Sequence, residues 1–200
     1  MKNEKTITEW REKEYIPAMR DYGLGEGGVV VDYGCSIGNY TIPLAQLVSD
    51  SGKVYAADID NTVFDTVMTR AEEFDLHNVI CIAPKKGYVL PLNDAEADAF
   101  IIYDLIHYLK SDGILPDVVS ECKRVLKAGG IFSVLPFHLS ANSVKDIWNL
   151  IEDNGFAFIG TAKGVGLHFE MQRFYGNSSK DISSYERGDI SFFRKVYGIM

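Results

Sequence analysis

The chain has 200 residues, of which 46% are apolar and 24% are charged, a balance that is ordinary for one soluble globular protein of one main domain. Its formal charge of −8 at pH 7 argues against nucleic acid as a partner, because phosphate backbones are usually bound by a basic surface. The three cysteines are far apart and form no CxxC pair, which argues against a disulfide framework and a zinc knuckle and favours reduced thiols in a cytoplasm.

The N-terminal stretch is polar and carries scattered aromatic residues. MKNEKTITEWREKE lacks the apolar segment of a signal peptide, and no apolar run in the chain approaches the ~18 residues that span a membrane. Trp10, Tyr15 and Tyr22 suggest a packing stripe on a helix, and the glycine-rich stretch 23–28 follows it. We therefore predict an N-terminal helical segment over residues 1–26 and the main domain over residues 27–200.

Apolar strand-like segments alternate with amphipathic helical ones from residue 27 to about residue 154. Continuous apolar strands between helices are typical of a parallel sheet that is covered on both faces. The last 45 residues read as strands with no helix between them, which predicts an antiparallel hairpin at the C-terminal edge. The predicted strands are GGVVVDYG, KVYAADID, NVICIA, ADAFIIYDLI, IFSVLPF, FAFIGTA, HFEMQRF and DISFFRKV.

The first strand ends in VVVDYGCSIGNYT, where three valines give way to small and polar residues. Gly34 and Gly38 would let the backbone turn tightly and approach a ligand, and the free N–H groups of the next helix can receive a carboxylate or a phosphate. Asp58 follows Gly38 by twenty residues, at the end of the second strand, where an acid can accept hydrogen bonds from ribose hydroxyls. The loop and the acid together predict a ligand that contains adenosine.

The glycine pattern is D-x-G-x-x-x-G rather than the dinucleotide fingerprint GxGxxG. Ser36 and Asn39 stand where that fingerprint has its second and third glycines, and the second glycine exists to admit a pyrophosphate. The P-loop pattern is also absent. A ligand with an amino-acid tail would tolerate Ser36, and Asp32 would bind its ammonium group or hold the loop through backbone amides.

Four segments in this order resemble the class I S-adenosylmethionine-dependent methyltransferases, over roughly residues 27 to 162. VVVDYGCSIGNYTIPLA resembles the first motif of that family and KVYAADID the second, while ADAFIIYDLIHYL and ECKRVLKAGGIFSVLP resemble the fourth strand and the passage into the fifth. The resemblance implies an α/β fold: a Rossmann-like three-layer sandwich with a mostly parallel seven-stranded sheet and an antiparallel C-terminal hairpin. It also implies S-adenosylmethionine as the cofactor.

The resemblance assigns roles to residues at the tips of the strands. The residues that would surround the methionine part of the cofactor are Asp32, Gly34, Cys35, Ser36 and Gly38. Asp58 would hold the ribose, Ile59 would pack on adenine, and Tyr103 and Asp104 would lie near the methionine tail and the methyl group. In this family N-terminal helices often cover the substrate, so segment 1–26 is a candidate lid.

Lys86 departs from the family pattern. It stands where the family often has an aspartate that faces the adenine amino group, and a lysine cannot accept a hydrogen bond from that amine. Adenine recognition would then use backbone groups or be impaired. We also predict that the short polar stretch between Ala83 and Ala97 forms no full helix.

The catalytic residues are less well specified than the cofactor site. The sulfonium already activates the methyl group, so the protein supplies orientation and, for some acceptors, removes a proton. His107 is the first candidate for that base, followed by Asp104 and then His138. No metal is expected, and the acceptor is expected to be a small molecule. Two alternatives remain: a catalytically silent relative that serves as a binding or regulatory module, and a nicotinamide-dependent oxidoreductase.

Overall fold

The structure, a computed structural model, describes residues 7–85, 88–171 and 182–196, and it describes the backbone alone along 168–171 and 182–185. Within these residues one seven-stranded sheet has the order β3-β2-β1-β4-β5-β7-β6. The strands are β1 (Val29–Tyr33), β2 (Lys53–Ala57), β3 (Val79–Ile82), β4 (Ala97–Tyr103), β5 (Leu126–Leu135), β6 (Phe156–Met171) and β7 (Ile182–Lys195). Strands β1 to β5 are parallel, and β7 is antiparallel to both of its neighbours. The predicted sheet with its antiparallel C-terminal hairpin is confirmed.

Helices cover both faces of this sheet. A π-helical segment (Arg11–Tyr15) leads into α1 (Ile16–Asp21), and the helices after it are α2 (Thr41–Val48), α3 (Phe64–Glu73), α4 (Ile106–Ser111), α5 (Leu115–Val125) and α6 (Ala141–Asp153). Between β3 and β4 the described residues form no helix, as the sequence predicts. None of the helices in the described ranges combines the length and the apolarity needed to cross a membrane.

The core has two halves, one on each face of the sheet. On the first face the π-helical segment, α1, α2 and α3 pack against residues such as Val30, Ile101 and Phe192. On the second face α4, α5 and α6 pack against Phe100 and Phe132, among others. This is the three-layer sandwich that the alternating pattern predicts. The N-terminal segment belongs to the first half, since Trp10, Tyr15 and Met19 are at most 2% exposed.

Strands β6 and β7 extend beyond the rest of the sheet as a two-stranded ribbon. β7 pairs with β5 from Ile131↔Arg194 to Val134↔Ser191, whereas β6 and β7 stay paired as far as Met171↔Ile182. Since β7 is antiparallel to β5, this β6–β7 ribbon (163–171 and 182–189) projects past the carboxyl end of β5. Gly166 and Gly188 are register partners at its base.

Hydrogen bonds and an ion pair join the ribbon to the N-terminal segment and to the start of α2. Trp10 Nε1 donates to Val165 O at 2.7 Å, and Arg187 forms an ion pair with Glu14 whose Nη2–Oε1 distance is 3.0 Å. The Tyr40 hydroxyl donates to Leu167 O and accepts from Leu167 N, both at 2.7 Å. The ribbon and the N-terminal segment therefore flank the carboxyl end of the sheet, where the predicted site lies.

Candidate functional site

The predicted cofactor residues meet at the carboxyl end of β1, β2 and β4. β1 pairs with β2 on one side and with β4 on the other, so the order of the sheet reverses beside β1. In open α/β sheets ligands bind in the crevice at such a switch point. Asp32 lies near the end of β1, Asp58 follows β2, and Tyr103 ends β4.

The loop after β1 is held tightly against β2. Gly34 N and Cys35 N both donate to Ala57 O, at 2.8 and 3.0 Å. Gly34 has φ = +85°, and a Cβ built there would lie 2.5 Å from Leu105 Cδ2. The missing side chain thus makes room for Leu105, a residue that sequence reasoning did not single out.

Ser36 has φ = +47°, a left-handed conformation that costs a residue with a Cβ about 1 kcal/mol or more. It occupies the position where the dinucleotide fingerprint has glycine. Asp104 and His138 also have positive φ, +57° and +59°, and they follow β4 and β5 at the same edge of the sheet. Strained non-glycine residues cluster at functional sites, and this edge holds three of them.

Asp32 is buried beside the start of α2. Its carboxylate is 3% exposed, and Thr41 Oγ1 donates to its Oδ2 at 2.6 Å. Burial raises the pKa of Asp32 from 3.8 to about 7; the Thr41 hydrogen bond opposes this rise and the Asp58 charge adds to it. Near neutral pH the carboxyl group is therefore close to half-ionised, and a nearby cation would favour its charged form.

Asp58 is held by the backbone of the glycine loop and of the turn that follows β2. Its Oδ2 accepts from Ser36 N at 2.9 Å, and its Oδ1 accepts from Asp60 N at 3.0 Å. Each carboxylate oxygen retains capacity for a second donor, so the group is oriented but not saturated. The next residue, Ile59, is 74% exposed, so its apolar side chain is accessible at this edge of the sheet.

Lys86, the residue that departs from the family pattern, lies outside the described residues. On either side of it, Lys85 N donates to Val89 O at 2.7 Å, and Val89 is 42% exposed. How the adenine amino group is recognised stays a prediction from the sequence.

Tyr103 lies in an aromatic cluster made of Trp10, Tyr15, Tyr40 and Tyr103. Its ring centroid is 4.7 Å from that of Tyr40 and 6.3 Å from that of Tyr15. Its hydroxyl shares a hydrogen bond with Ser133 Oγ at 2.6 Å and donates to Met19 Sδ at 3.6 Å. The Tyr103 ring therefore packs inside this cluster at the end of β4, and its hydroxyl is used inside the core.

Cys35 does not have the environment of a reactive thiol. Its side chain is 5% exposed, and burial raises its pKa, with the charges of Asp32 and Asp58 adding to the effect. A thiol that stays protonated is a poor nucleophile. The sulfur donates to Ser36 O at 3.6 Å, so Cys35 fills space within the glycine loop.

The candidate bases lie on the neighbouring part of the same edge. His107 is in the first turn of α4 and is half-buried, whereas His138, after β5, is exposed. Their ring centroids are 5.0 Å apart in an edge-to-face arrangement. Sequence reasoning placed His107 just past the fourth strand and His138 after the fifth, and the fold brings the two rings together. Across the described ranges, no set of three or more His, Cys, Asp and Glu side chains is arranged to hold a metal ion.

Arg70 supports the glycine loop from α3, and sequence reasoning missed it. Its Nη1 donates to Ile37 O at 2.6 Å and to Asn39 Oδ1 at 2.9 Å. The sequence feature that could have identified Arg70 is its spacing. It lies three residues after the buried Val67 and therefore on the inward side of α3. An arginine at that position is expected to have partners within the fold.

The comparisons with known proteins agree with this geometry. Residues 30–130, half of the chain, match the family model described as a methyltransferase domain. A 2-phytyl-1,4-naphtoquinone methyltransferase of Nostoc punctiforme is 26% identical over 187 residues, which are 94% of this chain and 77% of that protein. A probable cobalt-precorrin-6B C(15)-methyltransferase (decarboxylating) of Sulfurisphaera tokodaii is 28% identical over 120 residues, 60% of this chain and 59% of that relative's length.

A solved structure shows the same fold. A SAM-dependent methyltransferase from Aquifex aeolicus superimposes with a TM-score of 0.69 at 18% identity, over 94% of this chain and 93% of that one. The family model and these relatives give no support to a nicotinamide-dependent oxidoreductase or to a silent binding module. The chain therefore belongs to the methyltransferase domain family, with the class I S-adenosylmethionine-dependent fold and S-adenosylmethionine as its cofactor.

Proposed function

We propose that this protein transfers the methyl group of S-adenosylmethionine to a small cyclic acceptor that loses a proton as it is methylated. The observation that carries the proposal is the His107–His138 pair, with ring centroids 5.0 Å apart, at the carboxyl ends of β4 and β5. The two relatives above are named for a naphthoquinone and a cobalt-precorrin, and both names support a cyclic acceptor.

The cofactor would lie across the tips of β1 and β2. Asp58 would accept hydrogen bonds from the ribose, and Ile59 would pack on adenine. The glycine loop, with Asp32, Gly34, Cys35, Ser36 and Gly38, would enclose the methionine part, and the Tyr103 ring would lie beside it. Of these residues Asp58 is the best supported, because two backbone N–H groups already orient its carboxylate.

The bound cofactor supplies a methyl group on a positively charged sulfur, which becomes a neutral thioether as the methyl group leaves. The chain would hold the acceptor next to that methyl group, and such positioning lowers the entropic part of the barrier. His107 would take the proton from the acceptor as its new bond to the methyl carbon forms, and Asp104 is the second candidate for this step. His138 would share the positive charge that His107 gains.

The N-terminal segment and the β6–β7 ribbon would exclude water from this edge. Trp10 bonds to β6 and Glu14 pairs with Arg187 on β7, so the two elements form one cover. This is the lid role proposed for residues 1–26, here shared with the ribbon. Exclusion of water strengthens the electrostatic effect of each nearby charge.

The test is a transfer assay with S-[methyl-³H]adenosylmethionine against naphthoquinols, catechols and tetrapyrroles, with a protein mixture and RNA as comparison acceptors. On an accepted small molecule, His107→Ala should lower kcat by about 100-fold or more, the usual contribution of a general base. His77→Ala is the matched control, because His77 is exposed, pairs with Asp75 and precedes the amino end of β3. Transfer to protein or RNA alone, or an undiminished kcat in His107→Ala, would contradict the proposal.

A further inference from the structure

Four aromatic rings lie in a row at the carboxyl ends of β4 and β5. Tyr108 and His107, at the start of α4, have ring centroids 4.0 Å apart. The centroid of His107 lies 5.0 Å from that of His138, which lies 5.9 Å from that of Phe137. We call these four residues the ring row. It joins α4 to the loop after β5 and includes both histidines of the proposed transfer step.

The ring row is accessible from outside the protein. Tyr108 is 57% exposed and His138 is exposed as well, whereas His107 and Phe137 are half-buried. A Cβ at Gly188 would lie 2.7 Å from the Phe137 ring, so the base of the ribbon borders this end of the row. The row thus runs from the base of the ribbon to the surface of α4, beside the proposed base.

The packing of α4 does not account for Tyr108. Ile106 and Leu109, on the same short helix, are 0% and 4% exposed and hold α4 against the second half of the core. Tyr108 is the large side chain of this helix that stays outside. A single exposed aromatic residue is ordinary, but exposed rings grouped at a reaction site mark a binding surface. Flat aromatic ligands bind such rings by stacking or by edge-to-face contact.

The charges around the ring row restrict what can bind there. Lys110, at the end of α4, pairs with Asp146 at 3.6 Å, and Arg187 on the ribbon pairs with Glu14. Both cations are therefore already engaged with carboxylates. Asp104 adds a carboxyl group just before α4, and the chain has a formal charge of −8. These charges oppose an anionic acceptor, whereas an uncharged ring system is not affected by them.

We propose that the acceptor is a flat, uncharged hydroxy-aromatic compound of the hydroquinone type, and that it stacks on Tyr108, which thereby sets acceptor specificity. This inference rests on the proposed function and narrows its acceptor class, because it excludes tetrapyrroles that carry carboxylates. As an oxygen or a ring carbon of the acceptor bonds to the methyl carbon, the electron pair of the carbon–sulfur bond stays on sulfur. The displaced proton passes from the acceptor to His107.

The test uses naphthalene-1,4-diol, kept reduced, in a transfer assay and in a calorimetric titration with S-adenosylhomocysteine present. Tyr108→Leu should raise the KM and the Kd of the diol about tenfold, the scale of a lost stacking contact. It should leave kcat and the Kd of S-adenosylhomocysteine unchanged, because Tyr108 takes no part in the chemical step. Tyr108→Phe keeps the ring and should behave as the wild type does.

Phe74→Leu is the matched control. Phe74 is an exposed aromatic residue, 41% exposed, that follows α3 on the other face of the sheet, and its loss should change neither constant. An unchanged KM and Kd in Tyr108→Leu, or the same increase in Phe74→Leu, would overturn the inference. So would a porphyrin with several carboxylate groups that is methylated as readily as the diol.

A second outcome separates this inference from the proposed function. A diol that binds through Tyr108 but is never methylated would contradict the proposed transfer, while it would support Tyr108 as the residue that binds the ring. Methylation of the diol with the same KM in the wild type and in Tyr108→Leu would contradict the role of Tyr108 alone.

Discussion

Asp32 combines deep burial with a position next to the proposed cofactor. Thr41 satisfies one of its oxygens, yet burial still raises its pKa to about 7. A cofactor ammonium group would offset the cost of ionising it, whereas the free protein bears that cost alone. Asp32 thus lowers the stability of the free protein near neutral pH.

This makes the stability of the free protein depend on pH. Well below pH 3.8 the carboxyl is protonated in both the folded and the unfolded state, so burial carries no penalty for charge. As the pH rises towards 7 the unfolded chain ionises first, so the free energy of unfolding falls, by roughly 2–4 kcal/mol in total. Asp32→Asn removes this ionisation. Urea unfolding between pH 4.5 and 7.5 should show a flatter profile for the variant, and parallel profiles would contradict the buried, raised-pKa carboxyl.

Some residues of the candidate site could be predicted from the sequence, and others could not. Asp32 lies near the end of an apolar strand, Asp58 follows one and Tyr103 ends one. Parallel strands bring their carboxyl ends to one edge of the sheet, so the proximity of these residues follows from the pattern. Tyr15 could be recognised as a packing residue, but its place between the rings of Tyr40 and Tyr103 depends on contacts that are distant in sequence. Leu105 was missed for a related reason, because its contact with Gly34 joins two loops.

At the scale of elements, the β6–β7 ribbon depends on two glycines that face the end of β5. A Cβ at Gly166 would lie 2.4 Å from Leu135 Cδ1 and 3.0 Å from Ile190 Cγ1, and one at Gly188 would lie 2.7 Å from the Phe137 ring. Leu135 and Ile190 are fully buried, so neither can move aside easily. The absence of side chains lets the ribbon cross over β5 and reach the N-terminal segment.

Gly166→Ala should therefore lower the free energy of unfolding by about 1–3 kcal/mol, the usual cost of overpacking a core. Gly25→Ala is the control, because nothing lies within 4 Å of the Cβ that it would add; it should be neutral or slightly stabilising. Denaturant unfolding of both variants measures the difference. Equal stabilities would mean that the ribbon base is not closely packed.

Element boundaries were harder to predict than element types. The fourth strand was expected to run through ADAFIIYDLI, but β4 ends at Tyr103 because Asp104 takes a left-handed conformation; Leu105 then packs on Gly34, and Ile106 begins α4. FAFIGTA and HFEMQRF were expected as separate strand-like segments. Part of the second segment, from Gln172 on, lies outside the described residues. The described part continues one long strand, β6, whose glycines allow close approach instead of ending it.

At the scale of the whole molecule, contacts between distant parts of the chain assemble the site. The Tyr40–Leu167 hydrogen bonds join residues 127 apart, and Trp10–Val165 joins residues 155 apart. The parallel direction of the first strands and the antiparallel C-terminal hairpin could be predicted, since both follow from the alternation of strand-like and helix-like segments and from the strand-rich end of the chain. The path of the ribbon back to the N-terminal segment could not, because no local pattern encodes it.

The account depends above all on a cofactor whose ribose is held by Asp58 beside the glycine loop. Calorimetric titration of S-adenosylhomocysteine into the wild type and into Asp58→Ala tests this directly. We expect one ligand per chain for the wild type and a Kd at least about fivefold higher for the variant, which corresponds to ~1 kcal/mol for lost hydrogen bonds. A wild type that shows no binding, or a variant with an unchanged Kd, would contradict the account.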